Sequence, residues 1–252
     1  KAASSIVIGE MGNTFNTLVQ SVTTADNGVT SVQTPGLTLG GSKASATFSV
    51  GAGATLNLGT SGNRTALSIA ASPRGGSGSY TGNLDGSVGT MNIWLSSLTL
   101  GQLANGGNGD ETGLFTFGGS GNNHLDVTGD GTTVTVGQYL SGSGSGQAVG
   151  ILTLGNLDST SAIVSTDNGT AILLGATTKS SGTLNLTGGQ LILTTTGSAI
   201  AGGTGTSTLN LNGIKLVAGT SSASFITNLT TATVQPGGVT FDPSGEYMFI
   251  AL

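Results

Sequence analysis

A short pattern of alternating apolar and polar residues that ends in glycine recurs along the chain. It reads LTLG at residues 37–40, LTLG again at 98–101 and VTVG at 134–137. Alternation with a period of two places the Leu and Val side chains on one face of a strand and the Thr side chains on the other. The glycine that follows permits a sharp bend before the next strand. The pattern therefore predicts many short strands, each followed by a turn.

The spacing of this motif predicts a coil that repeats along the chain. The first apolar residue of the motif lies at Leu37, Leu56, Leu98, Phe115, Val134, Leu152, Ile172 and Leu209. Successive gaps are 19, 42, 17, 19, 18, 20 and 37 residues, so the long gaps are close to twice the short ones. A fixed period of this size is typical of stacked-coil architectures. We predict an all-β fold, a parallel β-helix or β-solenoid, with roughly 19 residues per coil.

Strand-like segments between the main motifs, such as 46–50 and 191–193, predict two or three short strands in each coil. Each strand would pair with its equivalent in the next coil, about 4.8 Å away. About 13 such coils would give a rod roughly 60 Å long.

Interruptions of the motif divide the chain into two regions. Residues 1–218 are expected to form the coils, with loop insertions near 61–94, 102–113 and 141–147. Insertions in solenoids usually project from one face. Aromatic residues and proline become frequent in 219–252, which is expected to hold the last coils, a cap or a junction.

Composition agrees with a β-solenoid and narrows the range of partners. The chain has 46 glycines, no cysteine, and 17 charged residues (6 basic and 11 acidic). Stacked coils place equivalent positions above one another, where like charges repel and Thr or Asn side chains can hydrogen-bond along the stack. With 6 basic residues in 252 and a net charge of −5, we expect no nucleic-acid partner. No apolar run is long enough to span a bilayer.

Two segments carry a resemblance to a known family. Residues 182–189 read GTLNLTGG, and residues 203–213 read GTGTSTLNLNG. These segments are similar to the autotransporter-associated β-strand repeats of bacterial passenger domains and large surface proteins. The resemblance implies a right-handed parallel β-helix, export to the bacterial cell surface, and a role in surface architecture or adhesion, without catalytic residues or a cofactor. Residues 225–252 resemble a stretch that follows such repeats in longer chains, which implies further sequence beyond Leu252.

The carboxylates and the single histidine are the candidates for catalysis. His124 and Asp126 are two residues apart, so they would share one face of a strand. The densest acidic group is Asp110, Glu111, Asp126 and Asp130. It is the candidate for a metal site, or for the paired acids of a polysaccharide lyase or hydrolase. Because no nucleophile motif accompanies His124 and Asp is common in turns, we expect turn-capping acids, no catalytic residue, no cofactor and no metal.

Aromatic side chains are the candidates for ligand contacts. Tyr80 and Trp94, the only tryptophan, are suited to stack on sugar rings where they are exposed. Together with the loop at 102–113, they favour a carbohydrate-binding adhesin as an alternative function. Packing of Trp94 beneath a loop or cap is the competing interpretation.

The two ends of the chain are the candidates for assembly. A solenoid end exposes core side chains and unpaired backbone, which must be capped or paired. The apolar residues expected at such contacts are Ile6, Ile8, Phe241, Tyr247, Phe249 and Ile250.

The leading prediction is a structural extracellular or cell-surface rod, not an enzyme. Such a rod would associate with itself end to end into a filament or matrix, or with other parts of a longer chain. A carbohydrate-binding adhesin is the alternative, and a polysaccharide lyase or hydrolase is the second alternative.

Overall fold

The chain forms strands and turns. A computed structural model describes residues 6–10, 18–41, 44–72, 78–104, 107–119 and 121–251. Within these residues every regular element is a β-strand, which confirms the all-β prediction. In chain order the strands are β1 (Ile6–Glu10), β2 (Leu18–Thr23), β3 (Val29–Val32), β4 (Gly36–Gly41), β5 (Ala44–Ser49), β6 (Thr55–Leu58), β7 (Thr65–Ser72), β8 (Tyr80–Gly86), β9 (Thr90–Leu103), β10 (Glu111–Phe117), β11 (His124–Gly129), β12 (Val134–Tyr139), β13 (Ala148–Leu157), β14 (Ala162–Ser165), β15 (Ile172–Leu174), β16 (Ser180–Thr194), β17 (Ser198–Gly202), β18 (Thr206–Ala218), β19 (Ser222–Thr227), β20 (Thr231–Val234), β21 (Val239–Asp242) and β22 (Met248–Ile250).

The strands pair in parallel and form three faces of a coil. Face A contains β1, β4, β7, the second half of β9, β12, β15, β17, β19 and β22. Face B contains β2, β5, β8, β10, β13, the first halves of β16 and β18, and β20. Face C contains β3, β6, the first half of β9, β11, β14, the second halves of β16 and β18, and β21. The chain visits A, B and C in turn, as a parallel β-helix does, and this fold class is confirmed.

Each coil is longer than the motif spacing predicted. On face A, Leu37 pairs directly with Leu67 of the next coil, and no strand of that face lies between them. Hydrogen bonds between adjacent coils join groups whose sequence separation is 38 at Thr133 and Ala171 and 23 at Ser207 and Thr230. The prediction of roughly 19 residues per coil is therefore wrong, and so is the rod of about 13 coils. The described strands make eight coil steps on face A, which at about 4.8 Å each give a rod of roughly 40 Å.

The shorter period arose because successive motifs fall on different faces. Leu37 lies on face A and Leu56 on face C, so their separation covers two strands of a three-strand coil. On face B, Leu152 pairs with Leu184 and Leu184 pairs with Leu209, so these three residues form a single ladder. Because the motif occurs on every face, the spacing between successive motifs gives the number of residues from one face to another. The number of residues in a coil is given instead by the strands that pair.

Alternating side chains fill the interior with one continuous hydrophobic core. In β10 the residues alternate between buried and half-buried positions along the whole strand. Phe115 and Phe117 are fully buried there, with ring centroids 5.1 Å apart. Burial of a side chain of this kind contributes about 1.5–3 kcal/mol. Neighbouring coils are therefore held together by core contacts as well as by backbone ladders.

The bend from face A to face B explains the glycine of the motif. The residues that follow a face A strand with a left-handed backbone at this corner include Gly9, Gly40, Ala70, Gly101, Gly137, Gly175 and Asn228. At Gly101, φ is +61°, and an added Cβ would overlap the carbonyl oxygen of Val149 in the next coil. The corner also excludes side chains from the inside of face B, because a Cβ on Gly113 would overlap the backbone nitrogen of Gly101. Gly113 accordingly belongs to an inner glycine column with Gly82, Gly150 and Gly182.

One of the predicted loop insertions is largely strand, and a second is strand at its two ends only. Region 61–94 contains β7, β8 and the start of β9, so it forms an ordinary coil, although residues 73–77 lie outside the described residues. The prediction failed because Ala, Ser and Gly occupy strand positions that carry Leu and Thr elsewhere. Region 102–113 begins in β9 and ends in β10, and its residues 105–106 also lie outside the described residues.

The remaining predicted boundaries follow the strands more closely. Residues 141–147 connect β12 to β13, as predicted for a loop. In region 219–252 the chain continues the coil through β19, β20, β21 and β22, and residue 252 lies outside the described residues. No helix in the described part of the chain is long and apolar enough to cross a membrane.

Candidate functional site

The predicted acidic group is not brought together. Asp110 and Glu111 lie at the start of face B in their coil. Asp126 belongs to β11 on face C, and Asp130 follows that strand at the next corner. These residues are spread around one coil and are not stacked along one face. Among the described residues, no group of three or more His, Cys, Asp or Glu side chains is placed to hold a metal ion.

Asp167 shows how an acid serves a turn in this fold. Its Oδ1 accepts hydrogen bonds from the backbone N–H groups of Gly131 and Gly169, both at 2.9 Å, and from the Ser165 hydroxyl at 3.0 Å. The amides of Gly169 and Gly131 hold the pKa of this carboxyl below its usual range. Asp167 therefore ties the corner between faces C and A to the same corner one coil earlier, which is the turn-capping role predicted for the acids.

His124 shares the outer surface of face C with Asp126 but pairs with Asp158 of the next coil. Its Nδ1 lies 3.0 Å from Asp158 Oδ2. The hydroxyls of Thr160 and Ser161 donate to Asp158 Oδ1 at 3.0 and 2.9 Å. Partial burial disfavours the charged carboxylate, but hydrogen bonds from Thr160, Ser161 and His124 outweigh it and lower the pKa of Asp158. An ionised Asp158 thus fixes the orientation of the imidazole.

Arg64 supplies the partner of Asp126 from two coils earlier. Its Nη2 donates to Asp126 Oδ2 at 2.8 Å, and both side chains are about one-fifth exposed, at 21% and 23%. Its Nη1 donates to the carbonyl oxygens of Leu95 and Asp126 at 3.3 and 3.2 Å. The Thr128 hydroxyl donates to Asp126 Oδ1 at 2.9 Å. One guanidinium therefore connects three consecutive coils across face C.

Trp94 lies beside the His124–Asp158 hydrogen bond and the Arg64–Asp126 ion pair on the outer surface of face C. It is half-buried, and its register partner in the next coil is Asp126. Its ring centroid is 4.9 Å from that of His124, at an interplanar angle of 43°. On the other side, its backbone adjoins Gly59, which carries no side chain. Trp94 is therefore part of the open sheet surface and not of a loop-covered core.

A ladder of amides borders the tryptophan. Asn92 is the register partner of His124, and its Nδ2 donates to Asn57 Oδ1 at 2.9 Å. Asn57 Nδ2 donates in turn to the Ser31 hydroxyl at 3.3 Å. We call Trp94, Asn92, His124, Arg64 and Asp126 the face C platform, because they form one continuous polar and aromatic surface.

Tyr80 does not belong to that surface. It lies on face B, where its register partner is Glu111. Glu111 is only 2% exposed, and burial raises its pKa to about 8, against a hydrogen bond with Ser72 that lowers it. The two aromatic residues predicted as glycan contacts thus occupy different faces of the rod.

The end of the stack formed by β20, β21 and β22 exposes core positions. Val234, Phe241 and Ile250 continue inner ladders whose members one coil earlier are buried, yet they are 59%, 37% and 37% exposed. Tyr247 and Phe249 are exposed as well, at 80% and 61%.

The opposite end of the stack is also apolar. Ile6 and Ile8 of β1 are partly buried against the core. Val7 lies between them on the outer surface and is 43% exposed. The residues predicted as assembly contacts therefore lie at the two ends of the described coils.

Comparisons with protein-family models, with curated proteins and with solved structures found no match. The resemblance to autotransporter-associated repeats rests on the motif residues alone.

Proposed function

We propose that this chain is a structural, non-enzymatic β-helix rod of the bacterial cell surface or extracellular space, and that copies of it join end to end. The proposal rests on the open edges at both ends of the described coils. Within the part of the chain that the structure describes, β20, β21 and β22 pair only with the preceding coil, and β1, β2 and β3 only with the following one. Edges of this kind present unpaired N–H and C=O groups that can accept a further strand.

The edge strands carry few features that would prevent such pairing. Natural sheets protect edges with lysine, proline, bulges or inward-pointing charges. β20 reads TATV and β22 reads MFI, without charge or proline. In β21 the charge of Asp242 is paired with Lys215 Nζ at 2.7 Å. Addition of another coil would therefore bury Val234, Phe241 and Ile250 without leaving a charged side chain of these strands unpaired.

The order of the faces defines how a second copy fits. The last described strand, β22, lies on face A, so a continuing chain would next place strands below β20, then β21, then β22. A second copy reproduces this order when its β1, β2 and β3 occupy those three places. It is then rotated about the rod axis by one face relative to the first copy. If face A of the second copy lay below face A of the first, one strand position would stay empty between the copies on face B and another on face C.

Single-cysteine variants test this arrangement, because the chain has no cysteine of its own. The rotated arrangement brings Val7 of one copy opposite Thr233 of the next, within the Cα separation of about 5 Å that a disulfide needs. We expect a mixture of Val7→Cys and Thr233→Cys to form a disulfide-linked dimer under mild oxidation. Each variant alone is the control, because a head-to-tail contact does not bring identical positions together.

Other outcomes distinguish a different arrangement of the two copies from the absence of end-to-end assembly. A dimer formed instead by Val7→Cys with Phe249→Cys would show unrotated stacking, in which β1 lies below β22. If neither mixture forms a dimer, and solution scattering and electron microscopy of the native protein show dispersed rods of roughly 40 Å at high concentration, end-to-end assembly is refuted.

A further inference from the structure

We infer that the face C platform is a binding site for a neutral carbohydrate, with the indole of Trp94 as the surface on which a sugar ring stacks. This inference is independent of the proposed assembly, because the platform lies on the side of the rod and not at its ends. It gives the rod a ligand as well as a mechanical role.

The position of Trp94 supports a stacking role. A buried tryptophan normally packs under other side chains, but Trp94 is only half-buried and lies on the outer face of a strand whose neighbouring residues Ile93 and Leu95 fill the core. Removal of Trp94 would therefore leave the core ladder intact. The adjoining Gly59 packs closely against the backbone of Trp94, since an added Cβ would overlap the Trp94 carbonyl oxygen, and it contributes no side chain to the outer surface. The face of an aromatic ring on an outer surface is what the C–H groups of a sugar require.

The polar residues around the indole match the hydroxyl groups of a sugar. Sugar recognition combines an apolar surface with a few fixed donors and acceptors that define orientation. Asn92, Arg64 and Asp126 supply planar amide, guanidinium and carboxylate groups, and each is held by bonds to neighbouring coils. Asp158 fixes the His124 imidazole at Nδ1, so a ligand that bonds to this ring would do so at Nε2. These restraints hold the platform in place before a ligand binds, which reduces the entropy lost on binding.

The charges on the platform favour a neutral ligand. Arg64 is neutralised by Asp126 at 2.8 Å, and Asp158 adds a second carboxylate beside the imidazole. A uronate would therefore meet no unpaired cation on this surface. It would also approach a chain of net charge −5. A hexose-based glycan without carboxylate or sulfate groups avoids both penalties.

The single tryptophan provides a direct measurement. Because Trp94 is the only tryptophan, the intrinsic indole fluorescence of the native chain reports on this position alone. We expect at least one member of a panel of gluco-, manno- and galacto-oligosaccharides to shift or quench this emission in a saturable manner at millimolar concentration. An oligogalacturonate of the same length, as the charged control, should leave it unchanged.

Variants locate the site by calorimetric titration with the sugar identified in this way. Trp94→Ala should weaken binding at least about tenfold, whereas Trp94→Phe, which keeps an aromatic surface, should retain part of it. Tyr247→Ala is the matched control, since it removes an exposed aromatic ring far from the platform. Circular dichroism spectra that coincide with that of the native protein establish that each variant is folded.

Three results would overturn the inference. The first is a panel that leaves the fluorescence unchanged at millimolar concentration. The second is undiminished binding by folded Trp94→Ala. The third is a response to the oligogalacturonate alone, which would refute a neutral ligand. Each result is obtained with dilute monomer, so it is distinct from failure of end-to-end assembly.

Discussion

Substitution of Gly101 by alanine is expected to lower the free energy of unfolding by about 3 kcal/mol or more. Two effects combine at this position. The left-handed conformation, with φ at +61°, costs an L-residue about 1 kcal/mol. The new methyl group would also overlap the Val149 carbonyl oxygen, so the backbones of adjacent coils must separate. Separation weakens the ladder between β9 and β12, and the ladder between β10 and β13, together.

Gly131→Ala is the matched control for this substitution. Gly131 has nearly the same φ, +65°, but no atom lies within 4 Å of its added Cβ. Its replacement should therefore cost only about 1 kcal/mol. Urea unfolding of the two variants, followed by circular dichroism at dilute concentration, compares them directly. If the two variants lose the same free energy of unfolding, the left-handed backbone alone requires glycine at position 101, and the close contact between coils does not contribute.

Substitution of Glu111 by glutamine is expected to stabilise the protein above neutral pH. Burial raises the pKa of Glu111 from 4.5 to about 8 in the folded protein. Between these two values the folded chain holds a proton that the unfolded chain has released. Stability therefore falls as the pH rises through this interval, by about 1.4 kcal/mol per pH unit for one proton. Glutamine stays neutral in the same place and removes this dependence.

Thermal unfolding between pH 5 and pH 9 measures the effect. The native protein should lose stability up to about pH 8 and then level off, and Glu111→Gln should lose much less. Asp26→Asn is the control, because Asp26 is an exposed acid whose Oδ1 accepts the Ala52 N–H at 3.0 Å, an interaction that asparagine retains. Parallel curves for the native protein and Glu111→Gln would contradict the assignment of a neutral, buried acid to this position.

The alternation of side chains was predictable because it depends on neighbouring residues only. Leu37 and Leu39 are buried on either side of a half-buried Thr38, as a period of two requires. The glycine after each motif was predictable for the same reason, since the bend follows directly in the sequence. The coil length could not be predicted, because it depends on which motifs pair. A three-sided coil places similar motifs on different faces.

The contacts of the face C platform could not be predicted from the sequence for the same reason, because strand pairing brings these residues together. Arg64 and Asp126 are 62 residues apart, and His124 and Asp158 are 34 apart. No local pattern joins such residues, and the coils that separate them differ in length. The sequence predicted that His124 and Asp126 share one face of a strand, as they do, but it did not predict that the hydrogen bond of His124 is with Asp158. A register derived from the true coil length would have found Asp158, which lies close to one coil beyond His124.

The unequal coils have a consequence for how such chains diverge. The step from Val134 to Ile172 on face A is much longer than the step from Ile226 to Ile250 on the same face, yet all three faces stay in register. The extra residues are divided between longer strands, such as β13 compared with β20, and longer connections, such as residues 140–147 between β12 and β13. Coils of different length can therefore stack on one another, so that insertions and deletions of residues change the length of a coil without breaking the three ladders.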